Sequence, residues 1–182
     1  WHAYFSRGLI RAVLAGSSKN DPFSKASFHQ GSLNDHKRTI ELNPKKWKSY
    51  YYSGRQIERL LDSVILMDWS LETYYWGTAF GCYQDTIKYN PKYANAHYHL
   101  GRLAQYVGLG PSEAFAAYTK AIELNPKYAE AYDYRGDIRK ARGDLKGAVI
   151  DWKKALEVAP PKWGYRSMVE KKLKSVSSPK QP

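Results

Sequence analysis

The sequence predicts an all-α fold of stacked helical hairpins, and two recurring signals support this prediction. Four apolar helical runs each end at a proline: Asn43-Pro44, Asn90-Pro91, Asn125-Pro126 and Ala159-Pro160. A glycine follows ten residues after each of the first three prolines: Gly54, Gly101 and Gly136. Self-similarity at a fixed period is typical of solenoids, in which neighbouring two-helix units share one continuous core.

Two C-terminal segments, 94–126 and 129–160, carry the clearest repeat, with their prolines 35 and 34 residues apart. Aromatic, leucine and glycine positions in the first helix are followed by alanines, an aromatic and a proline in the second. These positions hold Leu100, Gly101, Ala114, Tyr118, Ala121 and Pro126, then Tyr132, Gly136, Ala148, Trp152, Ala155 and Pro160. The pattern resembles the tetratricopeptide repeat, which implies a right-handed helical-hairpin solenoid. We expect the small residues at close helix crossings and the aromatics in the gaps beside them.

The first half keeps the same signals but stretches the units. Gly8 to Gly54 is 46 residues and Gly54 to Gly101 is 47, so each early unit carries about twelve extra residues. In the second unit we expect both helices to be about two turns longer. In the first, Asp21-Pro22 predicts a helix start, which leaves 23–31 as a loop or an extra helical turn. A lobe is also predicted, with two phenylalanines packed on the long hairpin: Phe23 and Phe28 against Leu60, Val64, Trp69 and Tyr75.

These observations predict a single domain over 1–176. The four repeat-like units span about 1–46, 47–93, 94–128 and 129–161, and the first two are the elongated ones. A capping helix is predicted over 162–176, with Trp163, Met168, Val169, Leu173 and Val176 at roughly helical spacing. We expect 177–182 to be disordered.

The net charge of +12 is concentrated at the two ends of the chain. Residues 1–50 carry +6, 51–160 carry +1 and 161–182 carry +5. Basic ends favour an acidic protein surface, nucleic acid or an anionic membrane as partner, although the same charge also keeps a solenoid soluble.

The cysteine content and the chain ends bear on the compartment. The lone Cys82 excludes an internal disulfide, is expected to be a small core residue, and favours a reducing intracellular compartment, in the cytoplasm or inside an organelle. No apolar run reaches the length of a membrane span. Because the chain begins at Trp1, already in register with a repeat, we expect a processed or trimmed form.

No pattern in the sequence indicates an enzyme, a cofactor or a metal site. HExxH and CxxC motifs are absent, and His97 and His99 are two residues apart, so they point to different faces of a helix. The segment 108–111, Gly-Leu-Gly-Pro, superficially suggests a phosphate loop but lacks the following Gly-Lys-Ser/Thr, and we expect a turn there. The sequence therefore predicts no catalytic residues and a non-enzymatic protein.

The resemblance implies that the first helix of each hairpin lines a concave groove that holds a partner segment. Carried over by register, the predicted partner-binding residues are Tyr51, Tyr52, Arg55, Arg59, Tyr98, His99, Arg102, Asp133, Tyr134 and Asp137. For Tyr51 and Tyr98 the alternative is packing between helices. One subset of the family clamps the C-terminal carboxylate of heat-shock chaperones with lysine, asparagine and arginine. In neither alignment of the units do the residues of this chain match that clamp.

The leading hypothesis is thus an adaptor or scaffold that binds a protein or peptide, acidic segments included, within a larger complex. The alternative is an RNA- or ribonucleoprotein-associated repeat protein, because sixteen tyrosines and a basic charge suit base stacking and phosphate contacts. Against this alternative, the groove positions differ from unit to unit. A third hypothesis concerns an exposed aromatic docking patch in the long hairpin: Trp69, Tyr74, Tyr75 and Trp76.

Overall fold

A computed structural model describes residues 4, 22–63, 69–104 and 106–177, and every regular element within them is an α-helix. In chain order the helices are α1 (Pro22–Leu42), α2 (Trp47–Ser63), α3 (Trp69–Tyr89), α4 (Ala94–Leu103), α5 (Pro111–Leu124), α6 (Ala129–Ala141), α7 (Leu145–Val158) and α8 (Arg166–Ser177). Each helix packs against the helix that follows it in the chain. The all-α prediction is confirmed, with successive hairpins stacked as a solenoid.

The helices end where the prolines predict. α1, α3, α5 and α7 each stop one residue before an X-Pro pair, because proline disfavours helical geometry in the residue that precedes it. The connection from α4 to α5 is a turn as expected: Gly108 and Gly110 adopt positive φ angles of 73° and 86°, and Pro111 begins the next helix. Positive φ is easy for glycine because it lacks a Cβ.

Three hairpins of the described residues cross at a repeat glycine, which faces an aromatic ring of the second helix. A Cβ added to Gly54 would lie 2.8 Å from the ring of Tyr83, and one on Gly101 would lie 2.7 Å from the ring of Tyr118. The same contact at Gly136 is 2.6 Å, to Nε1 of Trp152. The expected pairing of small residues with large rings is therefore confirmed, and it extends into the elongated half.

The elongation is helical. α2 has 17 residues and α3 has 21, against 10 in α4 and 14 in α5, so each long helix exceeds its regular counterpart by seven residues. Seven residues are about two turns, as predicted. α1 runs unbroken from Pro22, so the stretch 23–31 is helix and not a loop. The predicted lobe lies outside the described residues, since the side chains of Phe23, Phe28, Leu60, Val64 and Trp69 are not among them.

The C-terminal helix begins at Arg166, four residues later than predicted. Residues 161–165 form turns instead, in which the backbone N–H of Trp163 donates to the carbonyl of Pro160. Trp163 and Val169 are buried as an apolar face requires, whereas Met168 is exposed. The predicted tail beyond Ser177 lies outside the described residues.

The proposed aromatic patch of the long hairpin is not continuous. Trp76 is buried and stacks on Tyr106 with ring centroids 4.5 Å apart, whereas Tyr74 is exposed.

Nearby, Cys82 is partly buried against the core of this hairpin, and burial raises the pKa of its thiol to about 12. Among the described helices, none combines the length and apolar character needed to cross a membrane.

Candidate functional site

A buried carboxylate, Glu58, joins α2 to α4. Tyr51, Arg55 and Glu58 follow the i, i+4, i+7 spacing that places side chains on one helix face. Glu58 is 3% exposed, and its Oε2 receives a hydrogen bond from Nη1 of Arg55 at 2.8 Å. From α4, Nδ1 of His99 lies 3.1 Å from the other carboxylate oxygen, Oε1. A carboxylate can be buried at this point because charged and polar partners surround it.

The geometry around His99 selects one neutral tautomer. Nδ1 donates to Glu58, so Nε2 is left to accept the hydrogen bond from Nη1 of Arg55 at 3.3 Å. Burial lowers the pKa of His99 and outweighs the opposing effect of Glu58, and the positive charges of Arg55 and Arg102 add to the lowering. The imidazole is thus a neutral link between the two helices, stacked on the ring of Tyr83 at 4.9 Å.

The same cluster holds Glu58 in its charged form. Burial alone would raise the pKa of this carboxyl, but the hydrogen bond from His99 and the nearby guanidinium groups of Arg102 and Arg55 lower it below its ordinary value. Glu58 is therefore a buried anion next to two cations, Arg55 and Arg102, which line an open cleft.

That cleft, here named the arginine cleft, has a volume of about 330 Å³ and spans the first helices of three successive hairpins. Its lining comprises Tyr51 and Arg55 of α2, then Tyr98, His99 and Arg102 of α4, then Tyr128, Glu130 and Tyr165. Glu130 accepts a hydrogen bond from Nε1 of Trp163 at 2.9 Å, so the C-terminal turn helps to build one wall.

Of the two arginines in the cleft, Arg102 makes the weaker contact with Glu58. Its side chain is 30% exposed, and its one ion-pair contact among the described residues, from Nη1 to Oε2 of Glu58, is 3.7 Å, too long for a hydrogen bond. A guanidinium carries five N–H donors in a planar fork that suits carboxylate and phosphate groups. Within the described part of the chain none of those donors makes a hydrogen bond, so Arg102 presents unused donors to the cleft.

A second cavity of about 540 Å³, here named the tyrosine cavity, lies between the α4–α5 turn and α6. Its lining is mainly apolar and aromatic: Gly108, Gly110, Pro111, Tyr118, Tyr134, Asp137, Ile138 and Ala141. Tyr118 and Tyr134 stack with ring centroids 5.5 Å apart. The same Tyr134 ring meets Tyr98 of the arginine cleft edge-on at 6.0 Å, which makes the two cavities neighbours.

The C-terminal helix neutralises the acidic side of this surface. Nζ of Lys172 on α8 lies 2.7 Å from Oδ1 of Asp133 and 2.7 Å from Oδ2 of Asp137. Burial raises the pKa of Asp133 in spite of the opposing effect of Lys172. Asp133 is thus buried against α8, while Asp137 keeps 42% of its side chain exposed at the tyrosine cavity.

The chain resembles known proteins in structure, and no match is found from its sequence. No protein-family model matches the chain, and no curated protein matches it either. Among solved structures, TTC0263, a TPR protein of Thermus thermophilus, superposes with a TM-score of 0.66 at 20% identity, covering 93% of this chain and 90% of that one. The chain has the tetratricopeptide-repeat fold.

Two further solved structures agree with this fold. The Arabidopsis OM64 TPR domain matches with a TM-score of 0.55 at 21% identity, over 71% of this chain and 95% of that domain. The first TPR of Spaghetti (RPAP3), solved with the HSP90 peptide SRMEEVD, matches with a TM-score of 0.54 at 19% identity, over 74% and 95%.

Within the tetratricopeptide-repeat fold, seven of the ten predicted residues line the two cavities. The arginine cleft holds Tyr51, Arg55, Tyr98, His99 and Arg102, and the tyrosine cavity holds Tyr134 and Asp137. Tyr51 and Tyr98 also fulfil the alternative interpretation, since both are only 8% exposed and pack between helices.

The other three predicted residues lie elsewhere. Asp133 faces Lys172, and neither Tyr52 nor Arg59 lines either cavity; Tyr52 instead stacks on His36 at 5.7 Å. Sequence reasoning missed Glu58, choosing its neighbour Arg59. The signal that would have found it is the i, i+4, i+7 run from Tyr51 through Arg55.

Proposed function

We propose that this chain is a non-catalytic binding protein that holds a segment of a protein partner in the arginine cleft, as an adaptor or scaffold within a larger assembly. The observation that carries the proposal is Arg102, which lines the cleft and whose guanidinium makes no hydrogen bond among the described residues. A partner that supplies acceptors would satisfy donors that no described residue of the chain satisfies.

The surroundings of Arg102 favour recognition. Tyr51, Tyr98 and Tyr128 surround the two arginines, and tyrosine and arginine are among the residue types that most often dominate binding energies. Arg55 and Arg102 are 28% and 30% exposed, while Glu58 is 3% exposed. The cleft therefore presents guanidinium edges outward and keeps their counter-ion beneath them.

The arrangement favours binding over acid–base chemistry. Both ring nitrogens of His99 are engaged, one by Glu58 and the other by Arg55. A general base needs a free nitrogen within reach of a substrate proton, and His99 offers none. The other groups that line the cleft are the two guanidinium groups, the tyrosine rings and the carboxylate of Glu130, which already accepts a hydrogen bond from Trp163.

Selection from a random peptide display library on the immobilised chain tests the proposal. Affinities of the selected peptides would be measured by isothermal titration calorimetry for the wild type, Arg102→Ala and the control Lys120→Ala. Lys120 is an exposed residue of α5 that pairs with Glu123. We expect Arg102→Ala to weaken binding about tenfold or more, the usual worth of a hydrogen bond to a charged group, and Lys120→Ala to leave it unchanged.

Two results would count against the proposal. One is that the selected peptides bind Arg102→Ala as tightly as they bind the wild type, which would remove the cleft from the interaction. The other is that mixed RNA binds the wild type with a steep salt dependence and loses that binding in Arg102→Ala, which would assign the cleft to phosphates.

A further inference from the structure

We infer that one edge of the solenoid binds the surface of an anionic membrane, with lysine side chains against the anionic lipid headgroups. This edge, here named the lysine edge, consists of the four turns that follow α1, α3, α5 and α7. The inference goes beyond the proposed function and is independent of it, because the lysines that carry it line neither the arginine cleft nor the tyrosine cavity.

The same order of residues recurs in each of these turns. A proline is followed at once by a lysine, and an aromatic residue comes one or two positions later: Pro44-Lys45 with Trp47, Pro91-Lys92 with Tyr93, Pro126-Lys127 with Tyr128, and Pro161-Lys162 with Trp163. Short connections reverse the chain between successive helices, so every second turn lies on the same edge. The structure shows contacts of this kind between neighbouring turns, since the rings of Trp47 and Tyr93 have centroids 4.6 Å apart.

The lysine edge carries half of the net charge of the chain. Its turns and their flanking residues are 38–48, 85–95, 120–130 and 154–166, which together make up 46 of the 182 residues. They contain eleven basic and five acidic side chains, a net charge of +6 out of a total of +12. The edge is therefore strongly basic even after all of its carboxylates are counted.

Four of the five carboxylates on this edge have partners of their own. Three are paired with a basic residue of the same helix, Glu41 with Arg38, Glu123 with Lys120 and Glu157 with Lys154. Glu130 accepts a hydrogen bond from Trp163, and the fifth acid, Asp85, is half-buried on α3. By contrast, the lysines that follow the prolines are exposed and make no ion pair among the described residues: Lys45, Lys92, Lys127 and Lys162.

Exposed apolar side chains lie at both ends of the lysine edge. Leu42 is the last residue of α1, and Tyr165 lies in the turn before α8 beside the arginine cleft; each is 48% exposed. Peripheral membrane binding combines attraction between basic side chains and anionic lipids with burial of apolar side chains at the boundary of the acyl chains. The lysine edge offers both kinds of contact.

The aromatic rings of this edge favour a membrane over nucleic acid. Proteins that bind single strands stack the bases on open aromatic rings. Here the rings of Trp47 and Tyr93 contact each other, that of Tyr128 lies 4.8 Å from the ring of Tyr98, and Trp163 is only 8% exposed. The lysines themselves are compact charges that lack the planar fork of arginine, which suits a diffuse anionic surface.

Flotation with lipid vesicles tests the inference. The full chain would be mixed with vesicles of phosphatidylcholine alone, or of phosphatidylcholine and phosphatidylserine in a ratio of about three to one. We expect the chain to bind only the vesicles that contain phosphatidylserine. This binding should weaken as salt is added, because salt screens the attraction between exposed charges.

Two double variants with the same change of net charge localise the effect. Lys92→Glu with Lys127→Glu should weaken vesicle binding roughly 25-fold or more, because each lysine near an anionic surface contributes about fivefold. Lys140→Glu with Lys146→Glu changes exposed lysines beyond the opposite end of α6. That helix has 13 residues and is about 20 Å long, more than the Debye length of about 8 Å, so binding should stay within about twofold of the wild type.

The first double variant is expected to fold. Lys92 and Lys127 both precede the start of a helix, where a carboxylate interacts favourably with the helix dipole. Circular dichroism checks the folding of both variants, and the comparison of the two kinds of vesicle on the wild type keeps the test decisive if one variant does not fold.

Three results would overturn the inference. The first is equal binding to the two kinds of vesicle, or binding to neither. The second is an equal loss of binding in the two double variants, which would attribute the effect to net charge and not to the lysine edge. The third is mixed RNA that displaces the vesicles from the wild type and binds more tightly than they do, which would assign the lysine edge to nucleic acid.

Discussion

Two buried carboxylates in this molecule are each surrounded by two arginines, with opposite results. Asp151 on α7 accepts two hydrogen bonds from Arg135: Nε donates to Oδ2 at 2.9 Å and Nη2 donates to Oδ1 at 2.7 Å. Nη1 of Arg139 lies 3.1 Å from Oδ2. Glu58 on α2 is bound closely by Arg55, but Arg102 stays 3.7 Å away. The first cluster is closed on itself, whereas the second leaves a guanidinium open to a cleft.

The difference lies in what else each guanidinium contacts. Arg135 also donates to Oγ1 of Thr119 and lies over the rings of Phe115 and Tyr132, at 5.9 and 5.6 Å. Such an arginine stabilises the crossing of α6 and α7 and has few donors to offer a ligand. Among the described residues Arg102 has no such set of partners. The same pair of residue types is thus structural in one hairpin and a candidate recognition element between two others.

Removing one arginine from each cluster gives the largest expected effect. Arg135→Ala leaves a buried carboxylate short of its bidentate partner and should lower the free energy of unfolding by about 3–5 kcal/mol. Arg102→Ala removes a 30% exposed side chain with one long contact and should cost less than about 1 kcal/mol. Urea unfolding followed by circular dichroism measures both losses. Equal losses of stability in the two variants would contradict the conclusion that Arg135 is structural and Arg102 is not.

Acid should weaken the half that holds Glu58 first. Burial lowers the pKa of His36 from 6.5 to about 4, against the opposing effect of Asp35, and it also lowers that of His99. Because the unfolded chain then binds more protons, stability falls as the pH drops from 6.5 towards 4, by about 3 kcal/mol for His36 alone at 1.36 kcal/mol per pKa unit.

No histidine follows His99 in the sequence, so the Asp151 cluster has no imidazole to protonate. Urea unfolding at several pH values would compare the wild type with the double variant His36→Phe, His99→Gln. The phenyl ring keeps the stack that His36 makes on Tyr52, and the amide of Gln can still donate to Glu58. A double variant whose stability declines with acid as steeply as that of the wild type would contradict the assignment.

The smallest effect concerns two glycines, one at a helix crossing next to the Asp151 cluster and one on an exposed helix face. At Gly136, next to Arg135, an added Cβ would lie 2.6 Å from Nε1 of Trp152, so Gly136→Ala should cost about 1–3 kcal/mol by overpacking. Gly77 in the long α3 is exposed and has no atom within 4 Å of such a Cβ. Gly77→Ala should therefore raise stability by about 0.5–1 kcal/mol. Thermal melts of both variants test the opposite signs, and a shared sign would refute the close-contact explanation.

Helix ends and helix crossings could be predicted because local chemistry decides them. Pro126 stops α5 through the conformation of the residue just before it, and Gly101 marks the crossing because only a hydrogen fits beside the ring of Tyr118. Counting between glycines predicted about twelve extra residues in this unit, and the helical spacing of its apolar residues predicted that α2 and α3 would each gain about two turns, as they do. The late start of α8 was missed because residues 161–165 form turns that its apolar spacing does not reveal.

The candidate site was only half predictable. Register along the first helices led to Arg55, His99 and Arg102, which the structure does bring into one cleft. The same register selected Asp133, but Lys172 reaches it from 39 residues further along the chain. Glu58 shares a helix face with Tyr51 and Arg55, but its buried contact with His99, 41 residues away, was not visible from that spacing. Contacts over such separations depend on how the hairpins stack, which the spacing of the repeat does not reveal.

Order along the chain was therefore enough to establish the helical hairpins, their lengths and the face that each first helix presents, because backbone preferences and side-chain volume act over a few residues. Whether an arginine next to a helix crossing is fully hydrogen-bonded or left open depends on the partners that the neighbouring helices bring to it. Arg135 and Arg102 have the same side chain, and each lies beside a repeat glycine. Only the packing of the helices, which brings Asp151 to Arg135 and no such close partner to Arg102, made the first a structural residue and left the donors of the second facing a cleft.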